Sequence, residues 1–105
     1  MTHLITRRLG RTDRNVTTLG LGGQASLQWT AEGVDPIAII EKAFHLGINY
    51  MDTSNLYGPS QVNFGEAFGR LGLSPGVKNY DSKARKSLYL ASKTHIRSAK
   101  LPEGE

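Results

Sequence analysis

Gly47-Ile48-Asn49-Tyr50-Met51-Asp52-Thr53-Ser54-Asn55-Leu56-Tyr57-Gly58 decides how this chain is read. Gly47 reads as a helix stop, because a residue without a Cβ enters the left-handed region at no steric cost. Ile48 to Met51 is a short β-prone run that leads straight into Asp52. The residues after Asp52 are polar and turn-forming, and Gly58-Pro59-Ser60 is a turn. A strand that ends on a carboxylate, with a phenol a few residues further on, puts two acid-base groups at one end of a sheet.

Upstream, Asp35-Pro36 opens a helix: Asp35 caps free amides, and Pro36 at the first helical position forfeits no hydrogen bond. Ile37, Ile40 and Phe44 recur at helical spacing with Ala43 beside them, so the helix covers residues 36–46. Before it, residues 4–17 read as a hairpin around the turn-rich Gly10 to Asn15. A first sheet strand is expected near 18–22, and a polar, irregular stretch holding Trp29 then runs from Gln24 to Val34.

Downstream, Ser60 is a candidate cap for a second helix over 61–71. Phe64 and Phe68 stack at i and i+4, Gly65 and Gly69 weaken the helix, and Gly72 ends it. A loop with Pro75-Gly76 and the basic residues Lys78, Lys83, Arg85 and Lys86 follows. A strand near 87–92 then ends in Ser92-Lys93. The order is hairpin, then β-α-β-α-β, which implies an α/β fold with a parallel sheet. Ligands gather at the carboxyl ends of such strands, where Gly22, Asp52 and Lys93 lie.

The bulk numbers restrict the classes of function. A chain of 105 residues is at most one domain, and 38% hydrophobic with 21% charged residues is ordinary globular composition. Without cysteine there is no disulfide framework and no thiolate metal site, which suits a reducing, cytoplasmic setting. No secretory h-region or run of about 18 apolar residues is visible, so no membrane role is expected. The net charge of +4 comes mostly from basic residues that read as a solvated surface, with no nucleic-acid motif around them. His3, His45 and His95 form no pair at metal-ligand spacing, and no metal site is expected.

Asp52, Tyr57 and Lys93 are the candidate catalytic residues. A free phenol has a pKa near about 10, too high for proton transfer at neutral pH, and a nearby ammonium favours the phenolate. A carboxylate would hold that ammonium charged and in place. The trio suits reversible proton transfer to a carbonyl oxygen; from spacing alone, three unrelated strand-end residues fit equally well. Gly20-Leu21-Gly22-Gly23-Gln24-Ala25 also matches a loose G-x-G-x-x-A dinucleotide fingerprint, which would make the chain a small Rossmann-type nucleotide binder. That fingerprint needs a helix opening inside it, whereas the first helix start is Asp35. Trp29 either lines a pocket or covers the core from its loop.

Leu9-Gly10-Arg11-Thr12, Leu19-Gly20-Leu21-Gly22, Asp52 to Gly58 and Ser92-Lys93-Thr94 together resemble the amino-terminal part of the aldo-keto reductases. The four motifs stand in the family's order at compatible spacing. The resemblance implies a (β/α)8 TIM barrel closed at its bottom by a hairpin, and reduction of aldehydes or ketones with NADPH. It implies Tyr57 as proton donor, Lys93 as the residue that lowers its pKa, and Asp52 as partner of Lys93. It also implies that Gly22, Gly23, Gln24 and Asp52 border the NADP(H) nicotinamide and its ribose. Trp29 and Tyr57 border a small carbonyl substrate by the same resemblance.

Two departures are visible. Gln61 stands where the family usually has an acidic residue after the Gly-x-Ser turn. A barrel of this kind needs about 250 residues and eight strands, and three are expected here. The family's fourth catalytic residue, a histidine after the fourth strand, and most of the adenosine-phosphate site would then lie beyond Glu105. Three barrel strands leave unpaired edges that promote association. The isolated chain is therefore expected to be inactive and marginally stable, to self-associate, or to be completed by further polypeptide. A non-catalytic interaction fragment is the competing expectation.

Overall fold

The computed structural model describes residues 4–94, so His3, His95 and the tail beyond Thr94 lie outside the described residues. Strands β1 (Thr6–Arg8) and β2 (Asn15–Thr17) form the antiparallel hairpin, with Arg7 opposite Val16. Strands β3 (Tyr50–Asp52) and β4 (Tyr89–Ala91) pair in parallel, Met51 opposite Leu90. Helices α1 (Pro36–His45), α2 (Ser60–Arg70) and α3 (Ser82–Lys86) complete the described elements, with one 3-10 turn at Ala25–Leu27.

The strand expected near 18–22 is reduced to one parallel bridge, Leu21 with Met51. Leu21 donates its N–H to the Tyr50 carbonyl, and its own carbonyl accepts from Asp52 N–H, both at 3.0 Å. The ladder stops there because Thr17 Oγ1 donates to the Leu19 carbonyl at 2.6 Å, bending the chain just before Gly20. Glycine at 20, 22 and 23 adds nothing to hold a longer strand. Three parallel segments nevertheless lie side by side in chain order, residue 21 beside β3 and β3 beside β4. Among the described residues the hairpin β1–β2 and the pair β3–β4 make two small sheets and no closed barrel.

Apolar burial is concentrated between the helices and this parallel layer. Leu27, Ile40, Ala43, Met51, Phe64, Ala67, Phe68, Leu73 and Leu88 form the core. Phe64 and Phe68 meet edge to face, with ring centroids 5.7 Å apart. Asp35 caps α1 by accepting from Ile37 N–H at 2.9 Å, and Gly47 leaves the helix at φ 96°. Asp35→Ala should therefore lower stability by about 1 kcal/mol, read as a lower urea midpoint with an unchanged slope.

Two other local expectations are corrected. Ser60 does not cap α2; it is the first helical residue, and Pro59 occupies the cap position without a side-chain bond. The basic stretch expected as loop contains α3, because Asp81 accepts from both Lys83 N–H and Ala84 N–H at 3.1 Å. Lys83, Arg85 and Lys86 then sit in its last turn, where cations suit the helix dipole. Asn49 ties the hairpin to the sheet: its side chain accepts from Thr17 N–H at 2.8 Å and donates to the Asn15 carbonyl at 3.0 Å. Among the described residues no helix is long and apolar enough to cross a membrane.

Candidate active site

Asp52 is the last residue of β3, and Lys93 lies two residues beyond β4. Parallel pairing of Asp52 with Ala91 brings both side chains to the same end of the sheet. The loop after β3 is latched to the end of β4 by its backbone. Thr53 N–H donates to the Ala91 carbonyl at 2.9 Å, and Asn55 N–H donates to the Lys93 carbonyl at 3.3 Å. That loop carries Tyr57.

Both oxygens of Asp52 are engaged. Oδ1 accepts from Gly23 N–H at 2.9 Å, and Oδ2 accepts from Lys93 Nζ at 2.9 Å. The same ammonium lies 4.9 Å from the centroid of the Tyr57 ring, within cation–π range. The glycine segment, β3, its loop and the end of β4 thus converge on one carboxylate, one ammonium and one phenol.

The charges of the pair are mutually held. Partial burial pushes the Asp52 carboxyl up, but the Gly23 N–H and the Lys93 ammonium outweigh it, and the net pKa falls below the ordinary carboxylate value. The Lys93 pKa is raised, chiefly by its hydrogen bond to Asp52 and next by the Tyr57 phenol. The ion pair has the firmer geometry of these two contacts, since Nζ meets Tyr57 through the ring face.

The pH dependence follows from those directions. Asp52 contributes stability above the ordinary aspartate value of about 3.9 and loses it as pH falls through its lower folded value. Lys93 contributes below the ordinary lysine value of about 10.4 and loses its share as pH rises through its higher folded value. The side chains are 43% and 39% exposed, so the increments are small. Asp52→Asn should lower the urea midpoint at neutral pH. The gap from the parent should narrow in strong acid and strong base; a gap that ignores pH would mean the ion pair is not its cause.

The glycine pair divides its work. Among the described residues a Cβ on Gly22 would meet only Asp52 Oδ1, at 3.9 Å, so the backbone there is open to a ligand. A Cβ on Gly23 would overlap the Asp52 carbonyl oxygen and stand 2.8 Å from Ser60 Oγ. A cleft of about 180 Å³ lies alongside, lined by Gly20, Leu21, Gly22, Tyr50, Met51 and Asp52. Gln24 is exposed and makes no side-chain cap on the 3-10 turn. Trp29 is 66% exposed, so it does not cover the core. Its neighbour Gln28 donates to the Leu56 carbonyl at 3.3 Å, which places the Trp29 loop against the segment preceding Tyr57.

The fingerprint reading of the glycine run fails on context. Only the three-residue 3-10 turn follows it, and α1 begins at Pro36. A model of the family described as "Aldo/keto reductase family" matches residues 18–104, most of the chain. The chain belongs to the aldo/keto reductase family. Membership implies a TIM barrel and oxidoreductase chemistry on carbonyl compounds, with a nicotinamide nucleotide of the NAD(P)H type general to the family. No significant match was found among curated proteins or among solved structures.

Two contacts around Asp52, Tyr57 and Lys93 carry no signature in the sequence. Thr53 and Ser60 share a buried hydroxyl–hydroxyl bond of 2.8 Å. Gln61 donates to Ser92 Oγ at 2.9 Å, so the residue standing for the family's usual acid ties α2 to the strand end beside Lys93. The bare motif Gly58-Pro59-Ser60-Gln61 carries no signal for either contact, because Thr53 lies at the other end of the loop and Ser92 is 31 residues from Gln61.

Proposed function

We propose that residues 1–105 supply the amino-terminal part of the site of a (β/α)8 aldo/keto reductase that reduces an aldehyde or ketone to an alcohol with NADPH. The observation that carries this reading is the convergence of Gly23 and Lys93 on the two oxygens of Asp52, with the Lys93 ammonium over the Tyr57 ring.

A nicotinamide nucleotide fits the residues present on one count: the open backbone at Gly22 adjoins a cleft that Asp52 also lines. Gly22, Gly23, Gln24 and Asp52 would border it, and when bound it supplies the hydride for the carbonyl carbon. Tyr57 Oη gives its proton to the carbonyl oxygen as negative charge develops there. The Lys93 ammonium stabilises the charge left on the phenol oxygen. Asp52 keeps that ammonium protonated and aimed, and Gly23 N–H keeps Asp52 aimed in turn. Trp29, exposed beside the Tyr57 loop, borders the substrate in this reading. The reaction is placed in the cytoplasm.

A second reading rests on a different observation. Among the described residues β4 pairs on one edge only, and Asp52 and Lys93 are open to water. In that state the site lacks the dry walls that strengthen electrostatic catalysis. The isolated chain is then non-catalytic, and its free edge pairs with further barrel polypeptide or with a second copy.

Carbonyl-dependent oxidation of NADPH and of NADH, measured on the 105-residue chain and on a complete barrel containing it, tests both readings. Turnover with NADPH by the barrel alone supports the proposal. Turnover by the monomeric 105-residue chain would overturn the need for completion, and a barrel inert with every carbonyl tried would overturn the reductase reading.

A further inference from the structure

The loop that carries Tyr57 opens at Thr53 and closes at Ser60, and both ends are buried, at 2% and 0% exposure. Their hydroxyls bond each other at 2.8 Å. Ser60 would ordinarily serve the amides at the start of α2. Here its Oγ is turned inward, and the helix begins with no side-chain cap. The space it occupies exists because Gly23 has no Cβ; one would stand 2.8 Å from that oxygen. The hydroxyl pair is therefore packed against the same glycine that holds Asp52.

Inside the loop, backbone bonds fix Tyr57 relative to those two ends. Tyr57 N–H donates to the Ser54 carbonyl at 3.1 Å, and Ser60 N–H donates to the Tyr57 carbonyl at 2.9 Å. Leu56 N–H donates to Ser54 Oγ at 3.3 Å. The near side of the loop is tied to β4 by Thr53 N–H and Asn55 N–H, whereas its far side, at Ser60, meets the near side through the hydroxyl bond. Losing either hydroxyl removes this tie across the loop and leaves the other hydroxyl buried without a partner. Among the described residues only the Gln61–Ser92 bond then holds the far side against the end of β4.

We propose that Thr53 and Ser60 are positioning residues whose hydroxyl bond closes the 53–60 loop and so sets the Tyr57 ring over the Lys93 ammonium. This deepens the proposed function, because it rests on Tyr57 and Lys93 acting together. It assigns neither hydroxyl a contact with substrate. Small misplacements of a proton donor cost rate steeply, and the loss falls on kcat more than on substrate binding.

The test is the ring-current shift of the Lys93 ε-methylene protons, followed by NMR in the 105-residue chain. The parent should show an upfield shift, because the ammonium lies over the Tyr57 ring, and Tyr57→Leu should remove it. Thr53→Val, which keeps the volume and removes the hydroxyl, should lose most of the shift, and Thr53→Ser should retain it. Ser60→Ala should behave like Thr53→Val. An absent shift in the parent, a full shift in folded Thr53→Val, or equal loss in Thr53→Val and Thr53→Ser would overturn the proposal. Unfolding of both Thr53→Val and Ser60→Ala would make the hydroxyls a requirement of the fold rather than of the ring's placement and overturn the proposal; if only one unfolds, the shift in the other decides. The readout needs no turnover. An unchanged rate in Tyr57→Phe would remove the reductase reading and leave the loop closure standing.

Discussion

Tyr57→Phe should lower carbonyl reduction by about 10²–10⁴-fold in a complete barrel of the proposed kind and leave NADPH binding unchanged. The substitution keeps the half-buried ring that faces Lys93 and removes only the phenol oxygen and its proton. The 2.9 Å Asp52–Lys93 pair does not involve that oxygen, so the charges and the fold persist. In the proposed mechanism, what disappears is the donor that neutralises the oxygen as hydride reaches the carbon. Water then has to supply the proton from an unfixed position, which forfeits the advantage of a held donor. The check is kcat and KM for one aldehyde and one ketone beside a cofactor titration. Unchanged kcat would dismiss Tyr57 as the acid.

Gly23→Ala should cost about 3 kcal/mol and disrupt the site together with the fold. The new Cβ would overlap the Asp52 carbonyl oxygen and lie 2.9 Å from Thr53 Cα, so backbone must move on one side or the other. Separating the two segments also lengthens the Gly23 N–H bond that helps hold the Asp52 carboxyl below its ordinary pKa. A loss of this size is a large share of the stability of a small domain. Gly65→Ala is the control. That position lies inside α2 with nothing within 4 Å of the added methyl among the described residues, so alanine should stabilise by about 1 kcal/mol. Urea melts of both variants measure the contrast, and similar midpoints would contradict the close approach at Gly23.

The features legible in the sequence are those governed by near neighbours in the chain. Asp35-Pro36 announces α1, and Gly47 announces its end, because a cap and a left-handed stop act within a few residues. Asp52 and Lys93 are visible as strand ends for the same reason. Ser60 reads as a cap in the sequence but is not one, because its hydroxyl is claimed by Thr53 across the loop, a contact with no local signature. The strand near 18–22 shrank because Thr17 bends the chain where a β-prone run invited extension. Helix α3 escaped because five residues are too few for a periodic pattern, and Asp81 alone marked it amid basic neighbours. The resemblance assigns Gly23 to the cofactor; its close packing on Asp52 appears only once residues 20–23 lie beside β3.

The central claim is that Asp52, Lys93 and Tyr57 work as one proton-donating unit, and a double-mutant cycle on kcat/KM tests it most directly. Tyr57→Phe, Lys93→Met and the combined variant are compared with the parent in the complete barrel. Groups that act as a unit lose their effect together, so the double variant should be no slower than the slower single variant. Multiplied losses, as for two independent residues, would contradict the account.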